Sequence, residues 1–181
     1  MSVQLAWHYT TGQKFLQIVE SGFLMPTFNH ILPAERPVLW FSTNQKWEPT
    51  GCKAILNRRG NIRRLSMVET AARGQGLVRF GYPEQRLIAW PDLGVVANIN
   101  AKIRNDLEVS GREQGADPRT WRGALNPIAV NHLVVEVMEE RIRWVRVQDT
   151  EESSPVDHSG HWNQSTPVEP FQEQVRIAIH P

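Results

Sequence analysis

Two short polar clusters stand at the ends of apolar runs, His8-Tyr9-Thr10 after Leu5-Ala6-Trp7, and Ser42-Thr43-Asn44 after Val38-Leu39-Trp40-Phe41. An imidazole fixed at the end of a buried strand can donate to a ligand, or accept from one, without leaving its scaffold. If the two runs are neighbours, the clusters line one crevice, with Trp40 as an apolar wall. A core histidine bonded to a backbone carbonyl would satisfy the same pattern. Carboxylates that could join such a crevice lie far away in sequence. One is Glu173 in Phe171-Gln172-Glu173-Gln174-Val175. The other is Glu136 within Val134-Val135-Glu136-Val137, where a carboxylate is costly to bury unpaired. Moving along a strand by one residue turns a side chain to the opposite face, so Glu173 and Gln174 compete for one inward position.

A second chemical feature is basic. Arg58, Arg59, Arg63 and Arg64 surround a Gly60-Asn61 turn between Lys53-Ala54-Ile55-Leu56-Asn57 and Ile62-Arg63-Arg64-Leu65, the pattern of a hairpin. Guanidinium groups there could hold a pyrophosphate or a nucleic-acid backbone, or simply face water. No aromatic residues interleave them, so a base-stacking platform is not indicated. His158 and His161 share a metal-ligand spacing without a third ligand nearby, and Gly74-Gln75-Gly76 is too short for a dinucleotide fingerprint.

The elements that must position these groups follow from periodicity. A strand over 4–9 precedes a helix over Gly12 to Ser21, with Thr10 and Gln13 at capping-box spacing. Its apolar face is Phe15, Leu16, Ile18 and Val19, and Gly22 is suited to end it. An irregular segment runs from 23 to 32, and Pro37 opens the second strand, which runs to Ser42. Ser66 and Glu69 make another capping box before a short helix. Strands are expected over 77–80, 86–90, 132–138, 142–147 and 173–179. One long helix is expected after Pro91-Asp92, on Val96, Ile99, Ile103 and Leu107, ending at Gly111. Residues 115–126 read as loop, and 148–170 as a long surface loop rich in Ser, Pro and acidic residues. Strands and helices do not alternate regularly. The expected class is therefore α+β: a mixed, mostly antiparallel split sheet with two or three flanking helices, in one domain over 1–181.

Composition narrows the function. With 181 residues and a formal charge of +1, the chain can bury a core and has no global field to pull it onto nucleic acid or an anionic membrane. One cysteine, Cys52, provides no internal disulfide and no cysteine-based metal site, which favours a reducing compartment. The first residues lack a basic-then-apolar leader, and no run has the length of a membrane span. A cytoplasmic protein, or an effector delivered without a classical signal, is expected. Seven tryptophans against two tyrosines imply large apolar walls, most of them core.

The strand ending His8-Tyr9-Thr10, the helix ending Ser21-Gly22 before Leu24, the proline-bearing loop and the second strand Leu39-Trp40-Phe41-Ser42-Thr43 together resemble the N-terminal part of ADP-ribosyltransferase-like proteins, of the bacterial type that opens on a His-Tyr-Thr strand. The resemblance covers about the first quarter of the chain. It implies NAD as substrate and cofactor-like ligand, with His8, Tyr9, Thr10, Trp40, Ser42 and Thr43 around it. It also implies a catalytic pair of His8 and a late carboxylate, Glu173, and transfer of ADP-ribose to a protein or nucleic-acid acceptor. Breaking the nicotinamide–ribose bond builds positive charge on the ribose, which a fixed carboxylate can stabilise. The alternative is a non-catalytic module holding a nucleotide or nucleic acid in the same crevice or on the arginine hairpin. Gln174 beside Glu173 favours it.

Overall fold

The computed structural model describes residues 3–27, 34–139 and 143–147. In chain order these form β1 (Leu5–Thr11), α1 (Gly12–Ser21), β2 (Phe23–Leu24), β3 (Leu39–Ser42), β4 (Ala54–Leu56), β5 (Ile62–Arg64), α2 (Met67–Arg73), β6 (Leu77–Pro83) and β7 (Ile88–Ala89). There follow α3 (Asp92–Val96), α4 (Ala101–Glu113), β8 (Trp121–Ala124), β9 (Ile128–Ala129), β10 (Val134–Glu139) and β11 (Arg143–Arg146). A seven-stranded sheet runs β11-β10-β6-β1-β3-β8-β7, with two-stranded pairs β2-β9 and β4-β5 beside it. Every strand pairing among the described residues is antiparallel. The α+β class and the antiparallel sheet follow the sequence reading, although the described residues hold four α-helices rather than two or three.

The sheet is two zippered halves joined at one point. β1 pairs with β6 along its whole length, from Leu5↔Pro83 to Thr11↔Leu77, and β3 pairs with β8 from Leu39↔Ala124 to Ser42↔Trp121. Between β1 and β3 the register holds only at Trp7↔Ser42. Past that pair the strands diverge, and the split lies between the two runs that carry the polar clusters.

Alternation sends each half's side chains to two cores on opposite faces. Leu39 and Phe41 of β3 join Ala6, Phe15, Val78 and Phe80 in one core beneath α1, while Val38 and Trp40 join Trp90, Leu93 and Trp121 in the other, beneath α3 and α4. Within α1, Gly12 and Phe15 are buried and Ile18 and Val19 pack on the first core, but Leu16 is exposed. Thr11, not Thr10, is its N-cap, with no side-chain cap bond, and Gly22 ends it at φ 73°. The capping box expected at Ser66 and Glu69 is formed.

Three expectations are corrected. The single helix after Pro91-Asp92 is two, because Asn98 adopts a left-handed φ of 57° and the Asn100 side chain caps α4 by accepting from the Ile103 N–H at 2.9 Å. Gly111 lies inside α4 instead of ending it. Residues 121–124, read as loop, are β8, an inner strand of the sheet. The strand expected at 173–179 and the loop at 148–170 lie outside the described residues, as do His158 and His161.

Candidate functional site

Where β1 and β3 part, a cavity of about 470 Å³ opens. That is a volume ordinary for a small-molecule site. Trp7, His8, Tyr9, Trp40 and Ser42 face it from the two strands, and Trp121 faces it from β8. The loop after β3 adds Glu48, Thr50, Cys52 and Lys53, β5 adds Arg64, and Leu107, Gly111 and Gln114 contribute from α4 and its end. Gly111 lets α4 come close: a Cβ there would stand 2.5 Å from the Trp121 ring.

His8 bridges the split. Its Nδ1 lies 2.8 Å from the Trp40 carbonyl oxygen, replacing a backbone ladder bond with a side-chain one. A carbonyl only accepts, so Nδ1 carries the proton and Nε2 keeps its lone pair. Burial lowers the pKa to about 4. The Trp40 hydrogen bond raises it, and the nearby Lys53 ammonium lowers it further. His8 is therefore a neutral acceptor at physiological pH. The unfolded ring, at its ordinary 6.5, binds a proton that the folded ring refuses between pH 6.5 and 4. Stability from this group is then fully present above 6.5 and declines as pH falls towards 4. A His8→Gln variant is expected to show a flatter stability profile across that window in urea titrations. An unchanged slope would remove His8 as its origin.

Other expected ligand groups are already engaged. The Tyr9 hydroxyl donates to the Asn44 carbonyl, and its ring packs on Trp47 and Trp144. Burial pushes its pKa up to about 12 against the pull of Arg79, so it stays a donor. Ser42 is 1% exposed; its hydroxyl donates to Thr120 Oγ1 and accepts from the Asn44 N–H, both at 3.1 Å. Tyr9 and Ser42 thus wall the cavity and shape the loop beyond β3. Thr10 and Thr43 do not line it: Thr10 is buried in register with Val78, and the Thr43 backbone N–H donates to Thr120. Trp40 is the aromatic wall expected, packed on Trp90 and Trp121.

Glu136 is placed elsewhere. It stands in register with Arg79 on β6, and the Arg79 Nε donates to its Oε2 at 2.7 Å in a largely buried ion pair. The same guanidinium lies 3.8 Å from the Trp7 ring centroid and 4.5 Å from that of Trp144, and it donates to the Gln45 carbonyl. Both partners are consumed by structure. Glu173 and Gln174 lie outside the described residues.

The carboxylate that the structure brings to the crevice is Glu48, which the sequence reading missed. Three consecutive carbonyls ahead of it are each held by a different strand: Asn44 by Tyr9 of β1, Gln45 by Arg79 of β6, and Lys46 by the Trp144 indole N–H of β11 at 2.7 Å. Glu48 then caps a 3-10 turn, Pro49–Gly51, its Oε1 accepting from Thr50 Oγ1 at 2.9 Å and from the Thr50 N–H at 3.4 Å. The Trp121 indole N–H lies 3.4 Å from the same oxygen. Glu48 is 7% exposed, and its Oε2 is buried without a partner. The Gln114 Oε1 is buried without one too, while its Nε2 donates to the Ser110 carbonyl. Glu48 and Gln114 thus line the cavity among tryptophans, each with a buried oxygen that has no partner, and the cationic side chains Lys53 and Arg64 line it too. Burial and then the neighbouring Lys14 charge hold the Lys53 pKa below its usual range.

Among the described residues no group of three or more His, Cys, Asp or Glu is placed to hold a metal ion, and no helix is long and apolar enough to cross a membrane. No protein-family model, curated protein or solved structure matches the chain.

Proposed function

We propose that the crevice binds NAD and that the protein transfers ADP-ribose from it to a macromolecular acceptor. The observation that carries this reading is Glu48, a buried carboxylate with one unpaired oxygen in a tryptophan-walled cavity that also holds His8 and two cations. Nicotinamide is planar, cationic when joined to ribose, and bears amide donors, so acceptors and indole faces suit it. Lys53 and Arg64 suit the pyrophosphate. The neutral Nε2 of His8 suits a ribose hydroxyl as donor. In the reaction the bond from ribose C1′ to the ring nitrogen breaks, and its electron pair leaves with neutral nicotinamide. Glu48 stabilises the positive charge left on the ribose, and an acceptor nucleophile bonds to C1′ and loses its proton. The carboxylate role assigned to Glu173 by resemblance falls to Glu48 in this reading.

Calorimetric titration with NAD, paired with incubation of adenylate-labelled NAD with protein, DNA and RNA mixtures, tests the proposal. Saturable binding, release of nicotinamide and label fixed to a macromolecule are expected. Failure to bind NAD, or binding with no loss of NAD in any mixture, overturns it.

A further inference from the structure

Apart from Arg64, the arginine hairpin has no part in the NAD reading. β4 and β5 pair only with each other, in the register Ala54↔Arg64, Ile55↔Arg63 and Leu56↔Ile62. Alternation gives the ribbon two faces. Ile55 and Arg63 take one, where Ile55 is partly buried and Arg63 is ion-paired to Glu69 of α2 at 2.9 Å. Ala54, Leu56, Ile62 and Arg64 take the other, and all four are exposed. Leu56 and Ile62, directly opposite each other, are 70% and 76% exposed, although an apolar cross-strand pair normally stabilises a ribbon by being covered. Arg64 at the root of this face lines the crevice. From 53 to 65 there are five cations and no acidic residue, in a chain whose net charge is only +1, so the rest of the molecule is net acidic.

We propose that this face docks a B-form DNA duplex at the mouth of the crevice. A two-stranded ribbon is the width that the major groove admits, whereas the deep, narrow groove of duplex RNA excludes it. Arg58 and Arg59 in the turn are placed to meet phosphates, while Arg64 at the root stays with the crevice. Leu56 and Ile62 present methyl groups to the base edges between them, the apolar contact that base pairs offer through the thymine methyl. With the NAD reading above, on which this last step rests, the hairpin makes DNA the acceptor. The docking itself does not depend on it.

The test is fluorescence anisotropy of a short labelled DNA duplex with the full chain across a salt series, with unlabelled single-stranded DNA, RNA duplex and polyglutamate as competitors. Tight, salt-dependent binding of the duplex is expected, with the other polymers competing weakly. R58A/R59A is expected to reduce the slope of log Kd against log salt by about 1.8, at roughly 0.9 per phosphate contact. L56S/I62S is expected to weaken binding without changing that slope. Circular dichroism and NAD titration of both variants separate a lost surface from a lost fold, since neither pair lines the crevice. Duplex binding that survives both substitutions overturns the docking, as does equal or tighter binding of RNA duplex, single strands or polyglutamate. DNA binding without NAD binding overturns the enzyme reading and leaves the docking standing.

Discussion

Glu48→Gln is expected to keep NAD in the crevice and to lose the chemistry. The amide retains an oxygen for the Thr50 N–H and hydroxyl, so the turn Pro49–Gly51 stays capped and the fold is undisturbed. In the proposed reaction, what disappears is the negative charge that would stabilise the ribose as it becomes cationic. Removing one preorganised electrostatic partner costs about 10²–10³ in kcat. The measurement is single-turnover nicotinamide release beside NAD affinity by calorimetry. A normal rate with a raised Kd would make Glu48 a binding group and leave the transfer reading without its carboxylate.

Arg79→Met is the largest expected effect on stability. It leaves Glu136 in a largely buried place without its partner, and breaking a buried pair from one side costs about 3–5 kcal/mol. The double variant Arg79→Met with Glu136→Leu removes both charges, and it is expected to recover most of that loss because an apolar pair of similar bulk suits the same position between Trp7 and Trp144. Urea unfolding of the two variants and the parent measures this. A single variant within 1 kcal/mol of the parent, about the worth of an exposed pair, would mean that water already screens the pair.

The two strands that frame the crevice were legible because aromatic and apolar residues crowd runs too short for helices, and a polar cluster ends each one. The position of His8 followed from that pattern, as did its bond to a backbone carbonyl as one of two open readings. β8 was hidden because Trp121-Arg122-Gly123-Ala124 has little strand character of its own, and pairing with β3 makes it a strand. Glu136 looked like a pocket carboxylate because its partner, Arg79, is 57 residues away and becomes its neighbour only through the sheet register. Glu48 belongs to none of the patterns singled out in the sequence. A local signal existed, since an acidic residue followed by proline is a helix-start pattern, here flanked by Trp47. That pattern locates a cap but not the direction of its second oxygen. The two asparagines that divide α3 from α4 carried a similar signal, which the apolar period of the segment masked.

The three carbonyls held ahead of Glu48 have a consequence for how the site comes into being. Their donors stand 35, 34 and 98 residues away along the chain, on strands that meet only when that half of the sheet is complete. Contacts so distant in sequence form late in folding, because chain closure must precede them. The carboxylate is thus aimed only in the finished molecule. A nascent or partly folded chain, even with β1 and α1 in place, would hold Glu48 on a slack loop and, on the proposed transfer reading, would be silent. Activity would then report on completed folding.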